Sequence, residues 1–186
     1  TIHFPKADAA EFRRRTIWMP PMHPVTGRLF AAAFRGHGYR CEALPVEKRE
    51  ELALGRSLAR GSECLPMAAT IGAFFHRMRE IGADPREHAL FMPTADGPCR
   101  FGQYALLHRM ILNRAGYGDV PIFSPSSANT YQGVGEALRR YLFKAVCAAD
   151  VLMKCACRRR PYEAEKGRTD ELLEMHIGEL ERVFEG

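Results

Sequence analysis

The sequence lacks most of the features that settle a function at sight. No stretch of eighteen uncharged apolar residues occurs, so nothing in it reads as a helical membrane span. Residues 1–12 carry no apolar run of the secretion-signal kind. The first residue is Thr rather than Met, the pattern of a piece taken from a longer protein. There is no GxGxxG and no phosphate loop ending in Gly-Lys-Ser/Thr, which excludes the usual dinucleotide fingerprint and ATP hydrolysis by this chain. None of the seven histidines forms an HxxH or HxxxH pair, so no compact zinc spacing exists.

What is present is ordinary for a globular domain. Of 186 residues, 46% are apolar and 26% charged, enough to bury a real core. The net charge is +5, much of it from Arg13–Arg15 and Arg158–Arg160. A nucleic-acid module would set aromatic platforms or a known motif beside such runs. Neither is seen, so a solvated surface is expected and no nucleic-acid partner. Six cysteines without a secretion signal point to a reducing compartment, the cytoplasm. There they serve as buried fillers, redox thiols or metal ligands.

Strand and helix signals alternate along the chain. Residues 15–20 read as a strand stopped by Pro20 and Pro21, and Thr26 as the cap of a helix running to Gly36 and Gly38. A strand follows at 39–44, closing a βαβ unit. A polar helix at 47–58 and an apolar one through Met67, Ile71, Phe74 and Met78 lead to a third strand at 88–92. A helix follows with Leu106, Leu107, Met110 and Ile111, then a fourth strand at 119–123 and a hydroxyl-rich loop at 124–130. Residues 131–159 and 169–184 are helical in spacing. The expectation is a Rossmann-like three-layer α/β/α fold with a four-stranded parallel sheet plus C-terminal helices. Residues 1–130 form its α/β domain. Residues 131–186 form a helical extension that packs on it or links to a second α/β domain.

Ligands of open parallel sheets sit outside the carboxyl ends of the strands. Cys99 falls in the loop after the third strand, and Cys64 opens the helix leading into that strand. Pro66 suits a first helical turn. Both sulfurs are therefore expected at helix starts, where unpaired amides and the helix dipole favour a thiolate, the form that binds iron. Arg100 adds positive charge. Position alone leaves two readings, a ligand pair or two small apolar residues near loops, since thirty-five positions separate them. Cys155 and Cys157 fall late in a helical run as an incidental pair, and Cys41 and Cys147 read as core residues. His23, after the first strand, is a ligand contact or a capping residue. Ser124, Ser126 and Asn129 are candidates for a substrate side.

The strings Gly61-Ser-Glu-Cys-Leu-Pro66 with Gly72, and Gly97-Pro-Cys-Arg-Phe-Gly-Gln-Tyr104, resemble the component shared by 2-hydroxyacyl-CoA dehydratases, benzoyl-CoA reductases and double-cubane cluster proteins. Trp18-Met-Pro20 and Arg160-Pro-Tyr-Glu163 agree with the pattern, which is most similar to the large activase-related proteins and covers about residues 16–169. The resemblance implies an iron–sulfur cluster, 4Fe-4S or double-cubane, with Cys64 and Cys99 as two of three cysteine ligands. The third would lie in a missing α/β domain beyond residue 186, so the isolated piece is expected to be inactive. It implies an ATP-hydrolysing activator as partner, anaerobic electron transfer, and a small-molecule or acyl-CoA substrate. A homodimer is compatible with it. The alternative is a cluster-free α/β docking module of a larger activase-related protein.

Overall fold

The structure is a computed structural model that describes residues 5, 7–46, 48–82 and 84–186, except for the side chains at 127, 128 and 130. A short helix α1 (Ala9–Arg14) precedes strand β1 (Thr16–Met19), helix α2 (Pro24–Gly36) and strand β2 (Arg40–Ala43). Helices α3 (Arg49–Leu58) and α4 (Leu65–Glu80) lead to β3 (His88–Phe91), then α5 (Tyr104–Arg114) and β4 (Ile122–Phe123). Helices α6 (Glu136–Arg159) and α7 (Arg168–Glu185) complete the chain. The strands lie in the order β2-β1-β3-β4, all parallel, with Ile17 opposite both Cys41 and Ala89.

The sheet is buried on both faces, as parallel sheets are. Ile17, Met19, Cys41, Ala89, Phe91 and Phe123 point into one core with α2, α6 and α7. Trp18, Leu90 and Met92 point into the other with α4 and α5. The result is the expected three-layer α/β/α arrangement. In the first core Phe34 meets Phe91 and Phe123 edge-on at 5.8 and 5.7 Å between ring centroids, a favourable aromatic geometry. In the second, the Trp18 indole N–H donates to His88 Nδ1 at 3.0 Å. Burial holds the His88 imidazole below its ordinary pKa, which keeps it an acceptor.

Helices α3 and α4 run antiparallel at very close range. A side chain at Gly55 would strike the Ala68 carbonyl, and one at Gly72 would strike the Glu51 carbonyl. Only glycine at both places allows this contact of backbones, and the contact sets the position of the α4 N-terminus.

Helix α6 starts beside the far end of α2, where Tyr141 lies edge-on to His37 at 5.0 Å. It runs back antiparallel to α2, and α7 returns alongside. Arg28 bonds Glu181 and Glu174 of α7, and a side chain at Gly36 would strike the Phe184 carbonyl. The motif Arg160–Glu163 builds the corner between α6 and α7. Arg160 grips Asp170 at 2.7–2.8 Å, and the Glu163 carboxylate accepts the N–H groups of Gly167 and Thr169 at 2.7 and 3.0 Å.

Several local expectations are corrected. Helix α2 starts at Pro24 with His23, not Thr26, at the cap. Glu47, where the polar helix was expected to begin, lies outside the described residues, and α3 starts at Arg49. Strand β4 has two residues, because Pro121 has no N–H for the ladder. Cys147 is exposed, since α6 buries the stripe of Leu138, Ala145, Ala149 and Ala156 and turns Cys147 away from it. The Arg13–Arg15 run is not simply solvated. Arg13 stacks on Tyr39 at 4.3 Å, and Arg15 donates to the carbonyls of Pro85, His88 and Asp119, pinning the amino edge of the sheet.

Gly72→Ala should lose about 2 kcal/mol or more of unfolding free energy, because neither backbone can move aside cheaply. Gly178→Ala in α7 faces open space and should gain up to about 1 kcal/mol. Urea denaturation of both variants checks the contrast. Equal effects would contradict the close α3–α4 contact.

Candidate functional site

With β1 between β2 and β3, the chain leaves β1 to one side for β2 and crosses over to the other side for β3. The crevice between the carboxyl ends of β1 and β3 is the topological switch point, where α/β sheets bind ligands. Cys64 is the N-cap of α4, with backbone angles of −71° and 151°. Helix α4 is the crossover into β3, so its N-terminus opens on this edge. Cys99 is the N-cap of a 3-10 turn, Arg100–Gln103, that continues directly into α5. Two residues before Cys99, Gly97 has a φ of 134°, a conformation that favours glycine.

The two cysteine loops are tied together. Arg100 Nη1 donates to the Ser62 carbonyl at 3.1 Å. Tyr104, in the first turn of α5, places its hydroxyl 2.8 Å from Cys64 Sγ. Phe101 packs edge-on against Tyr104 at 5.3 Å. Thr94 Oγ1 closes the loop by donating to the Gly102 carbonyl at 2.9 Å. Cys64 is half-buried and Cys99 exposed. Burial pushes the Tyr104 phenol up to about 12. The hydrogen bond with Cys64 and the charges of Cys64 and Cys99 add to that, and Arg100 partly offsets it.

The cradle of free amides at the start of α4 is narrower than expected. Pro66 has no N–H, and the amides of Met67 and Ala68 both turn back to the Cys64 carbonyl, at 3.1 and 3.4 Å. In the first turn this leaves the amide of Leu65. The polar group that reaches Cys64 is instead the Tyr104 hydroxyl, five residues after Cys99, a contact that reading the motif as a cysteine motif did not reveal. The Glu63 carboxylate, next to Cys64, folds back onto the Arg60 amide at 3.0–3.1 Å, and that bond lowers its pKa.

As a donor set for iron, the edge supplies two thiols, a hydrogen-bond donor and a guanidinium, which fits part of a cluster site. Among the described residues no group of three or more metal-donor side chains exists. A groove of about 670 Å³ lies elsewhere, between the end of α6 and the start of α7, with Cys155, Arg159, Tyr162 and His176 among its walls. Cys155 and Cys157 are exposed on α6.

His23 lies on the same edge as Cys64 and Cys99 and is engaged as a cap. Its Nδ1 accepts the Thr26 N–H at 3.1 Å and lies 3.0 Å from Thr26 Oγ1. Residues 124–130 do not form an open loop, because a 3-10 helix spans Ser127–Gly133. Asn129 spends its amide inside this segment, donating to the Ser124 carbonyl and accepting the Ser126 N–H, both at 2.8 Å. The Ser124 N–H donates to Gln132 Oε1 at 2.7 Å. Tyr131, Gln132 and Gly133 all have positive φ, and the chain turns away to pack Gly133 against Ala9. Of the Ser/Asn candidates, Ser124 and Ser126 stay next to the end of β4, while Asn129 is structural.

Behind Tyr104, His108 is fully buried, with ring centroids 6.2 Å apart. Its Nε2 lies 3.3 Å from both the Met67 carbonyl and Thr70 Oγ1, and its Nδ1 has no partner. Burial pushes this imidazole down to about 4.

Fold and edge together define a three-layer α/β domain that presents two thiols on linked loops at its switch point. No known protein family, curated protein or solved structure matches the chain. Among the described residues no helix is long and apolar enough to cross a membrane.

His108 makes stability pH-dependent in a defined direction. The folded chain keeps the imidazole neutral down to about pH 4, whereas the unfolded chain binds a proton near 6.5. This contribution is complete above pH 6.5 and is lost as pH falls towards 4, by roughly 3 kcal/mol. Denaturation of wild type and His108→Gln at several pH values should show the difference between them changing across that window. A constant difference would contradict a buried neutral His108.

Proposed function

We propose that this chain is the two-thiol half of an iron–sulfur site in an ATP-dependent reductase or dehydratase of the 2-hydroxyacyl-CoA dehydratase and benzoyl-CoA reductase kind. The observation that carries the reading is that the Cys64 and Cys99 loops are tied together at the switch point, by the Tyr104 hydroxyl on Cys64 Sγ and by Arg100 on the Ser62 carbonyl. Cys64 and Cys99 would hold the cluster, and a third cysteine would come from a segment outside these 186 residues. Such a cluster supplies a low-potential electron to a small molecule or an acyl-CoA thioester, after an ATP-hydrolysing activator has reduced it. Arg100 holds the Cys64 and Cys99 loops together. His23 fixes the start of α2 along the same crevice.

Exposed apolar side chains on the carboxyl edge of the sheet support a covering partner. Met22, Val46 and Leu65 are 44%, 57% and 50% exposed, in the segments after β1, after β2 and at the start of α4. A second reading, a docking domain without a cluster, draws on the same exposed apolar side chains.

Anaerobic reconstitution of the longer parent protein with iron and sulfide distinguishes them. Wild type should bind iron with a visible absorption band, and Cys64→Ala and Cys99→Ala should each lose it. An iron-free parent, or variants that bind as wild type does, would favour the docking domain.

A further inference from the structure

We propose that the outward face of α6 and α7 is a docking surface for a second copy of this chain, each copy laying its α6 over the α7 of the other about a twofold axis. This concerns the helical layer rather than the carboxyl edge and does not depend on a cluster. The first support is apolar. On the side of α6 opposite its buried stripe, Phe143, Cys147 and Val151 recur every four residues and form one ridge. Phe143 is 71% and Val151 60% exposed. On α7, Glu171, Met175, Glu179 and Val183 share the same four-residue spacing, and Met175 and Val183 are 48% and 69% exposed. Half of the large exposed apolar side chains among the described residues lie on these two helices, a concentration that marks an interaction surface.

The second support is charge, and it selects the partner. Helix α6 carries Arg139, Arg140, Lys144, Lys154, Arg158 and Arg159 against Glu136 and Asp150. Helix α7 reverses the balance, with six carboxylates against Arg168 and Arg182. Four of the six are engaged elsewhere in the chain: Glu174 and Glu181 hold Arg28, Glu185 holds Arg35 and Asp170 holds Arg160. Glu171 and Glu179 stay on the outward ridge, paired with Arg168 and His176 of their own helix. On α6, Lys154 is paired with Asp150. Exposed pairs of this kind are weak and change partners at small cost. Two α6 helices laid together would repel, whereas α6 laid on α7 brings opposite charges together.

Symmetry then fixes the contacts. Within the chain the two helices are antiparallel neighbours. Tyr141 meets Phe184 at 6.0 Å near one end, and Cys155 and His176 line a shared groove near the other. A twofold axis parallel to both helices sets each α6 antiparallel on the other copy's α7, with the same ends together. Phe143 comes to Val183 of the second copy, Val151 to Met175 and Lys154 to Glu171. The ridge of one copy settles between the helices of the other, as in four-helix bundles. Helices of 24 and 18 residues side by side give a face about 30 Å long and 20 Å wide. That is the scale of the roughly 800 Å² per partner that stable interfaces use.

Sedimentation velocity of the 186-residue chain, metal-free and with a thiol reductant, tests this at concentrations from about 1 to 200 μM. Wild type should show a monomer–dimer equilibrium, and Val151→Asp should weaken it at least tenfold. Lys154→Glu and Glu171→Lys should each weaken it too, since either one sets like charges together twice in a dimer. Mixed in equal amounts, those two variants should associate again, because both contacts of the mixed dimer then join opposite charges. A folding defect gives no such rescue, and the two side chains are 71% and 68% exposed. A chain that stays monomeric would give the face to another segment or protein and overturn the proposal. A dimer that Val151→Asp leaves intact would overturn it as well, and so would a mixture no more associated than its components. None of these results bears on the cluster, which the iron reconstitution tests separately.

Discussion

Parallel pairing of β1 with β2 on one side and β3 on the other is the constraint from which the rest follows. Parallel neighbours need crossovers, and reversing the strand order sends those crossovers to opposite faces of the sheet. Helix α2 takes one face, with α6 and α7 later packing against it, and α4 takes the other. The carboxyl ends of β1 and β3 are then left with diverging chains above them. Cys64 and Cys99 reach that place from different elements, one at the start of the crossover into β3 and the other at the end of the loop leaving β3. Their thirty-five-residue separation in sequence is a consequence of the topology.

Placing a thiol at a helix start is useful only if the helix is fixed, and two devices do this. The Gly55–Gly72 contact locks α4 to α3 at backbone range. The Arg100–Ser62 and Tyr104–Cys64 contacts then lock the α4 start to the turn before α5. The site is thus held from behind by packing and across its mouth by hydrogen bonds. Its open side carries exposed apolar residues, which suits a surface that another protein segment covers.

Much of this was legible in the sequence. Strands at Thr16–Met19 and His88–Phe91 read as short apolar runs and Arg40–Ala43 as an alternating one, each flanked by Pro or Gly, and three parallel-type strands with helices between them allow few folds. The helix starts at Cys64 and Cys99 followed from their neighbouring prolines. Less visible were features that depend on tertiary neighbours. Tyr104 enters the sequence reading only as the last residue of the Gly97–Tyr104 motif, and only the approach of α4 gives its hydroxyl a sulfur partner. Cys147 looked like a core residue because Ala145 and Ala149 beside it are apolar, yet α6 buries only one narrow stripe. The 124–130 segment reads as an open polar loop, while the side-chain amides of Asn129 and Gln132 bond the backbone of Ser124 and Ser126 and a 3-10 turn follows. Polar composition does not reveal whether such groups face a ligand or each other.

The central claim is that Cys64 and Cys99 act together as ligands of one iron–sulfur group. The iron K-edge X-ray absorption spectrum of the reconstituted full-length gene product tests it most directly. The account expects sulfur scatterers around iron together with iron–iron scattering, both absent from a Cys64→Ala, Cys99→Ala double variant. Iron surrounded only by oxygen and nitrogen, or a double variant with the wild-type spectrum, would contradict it.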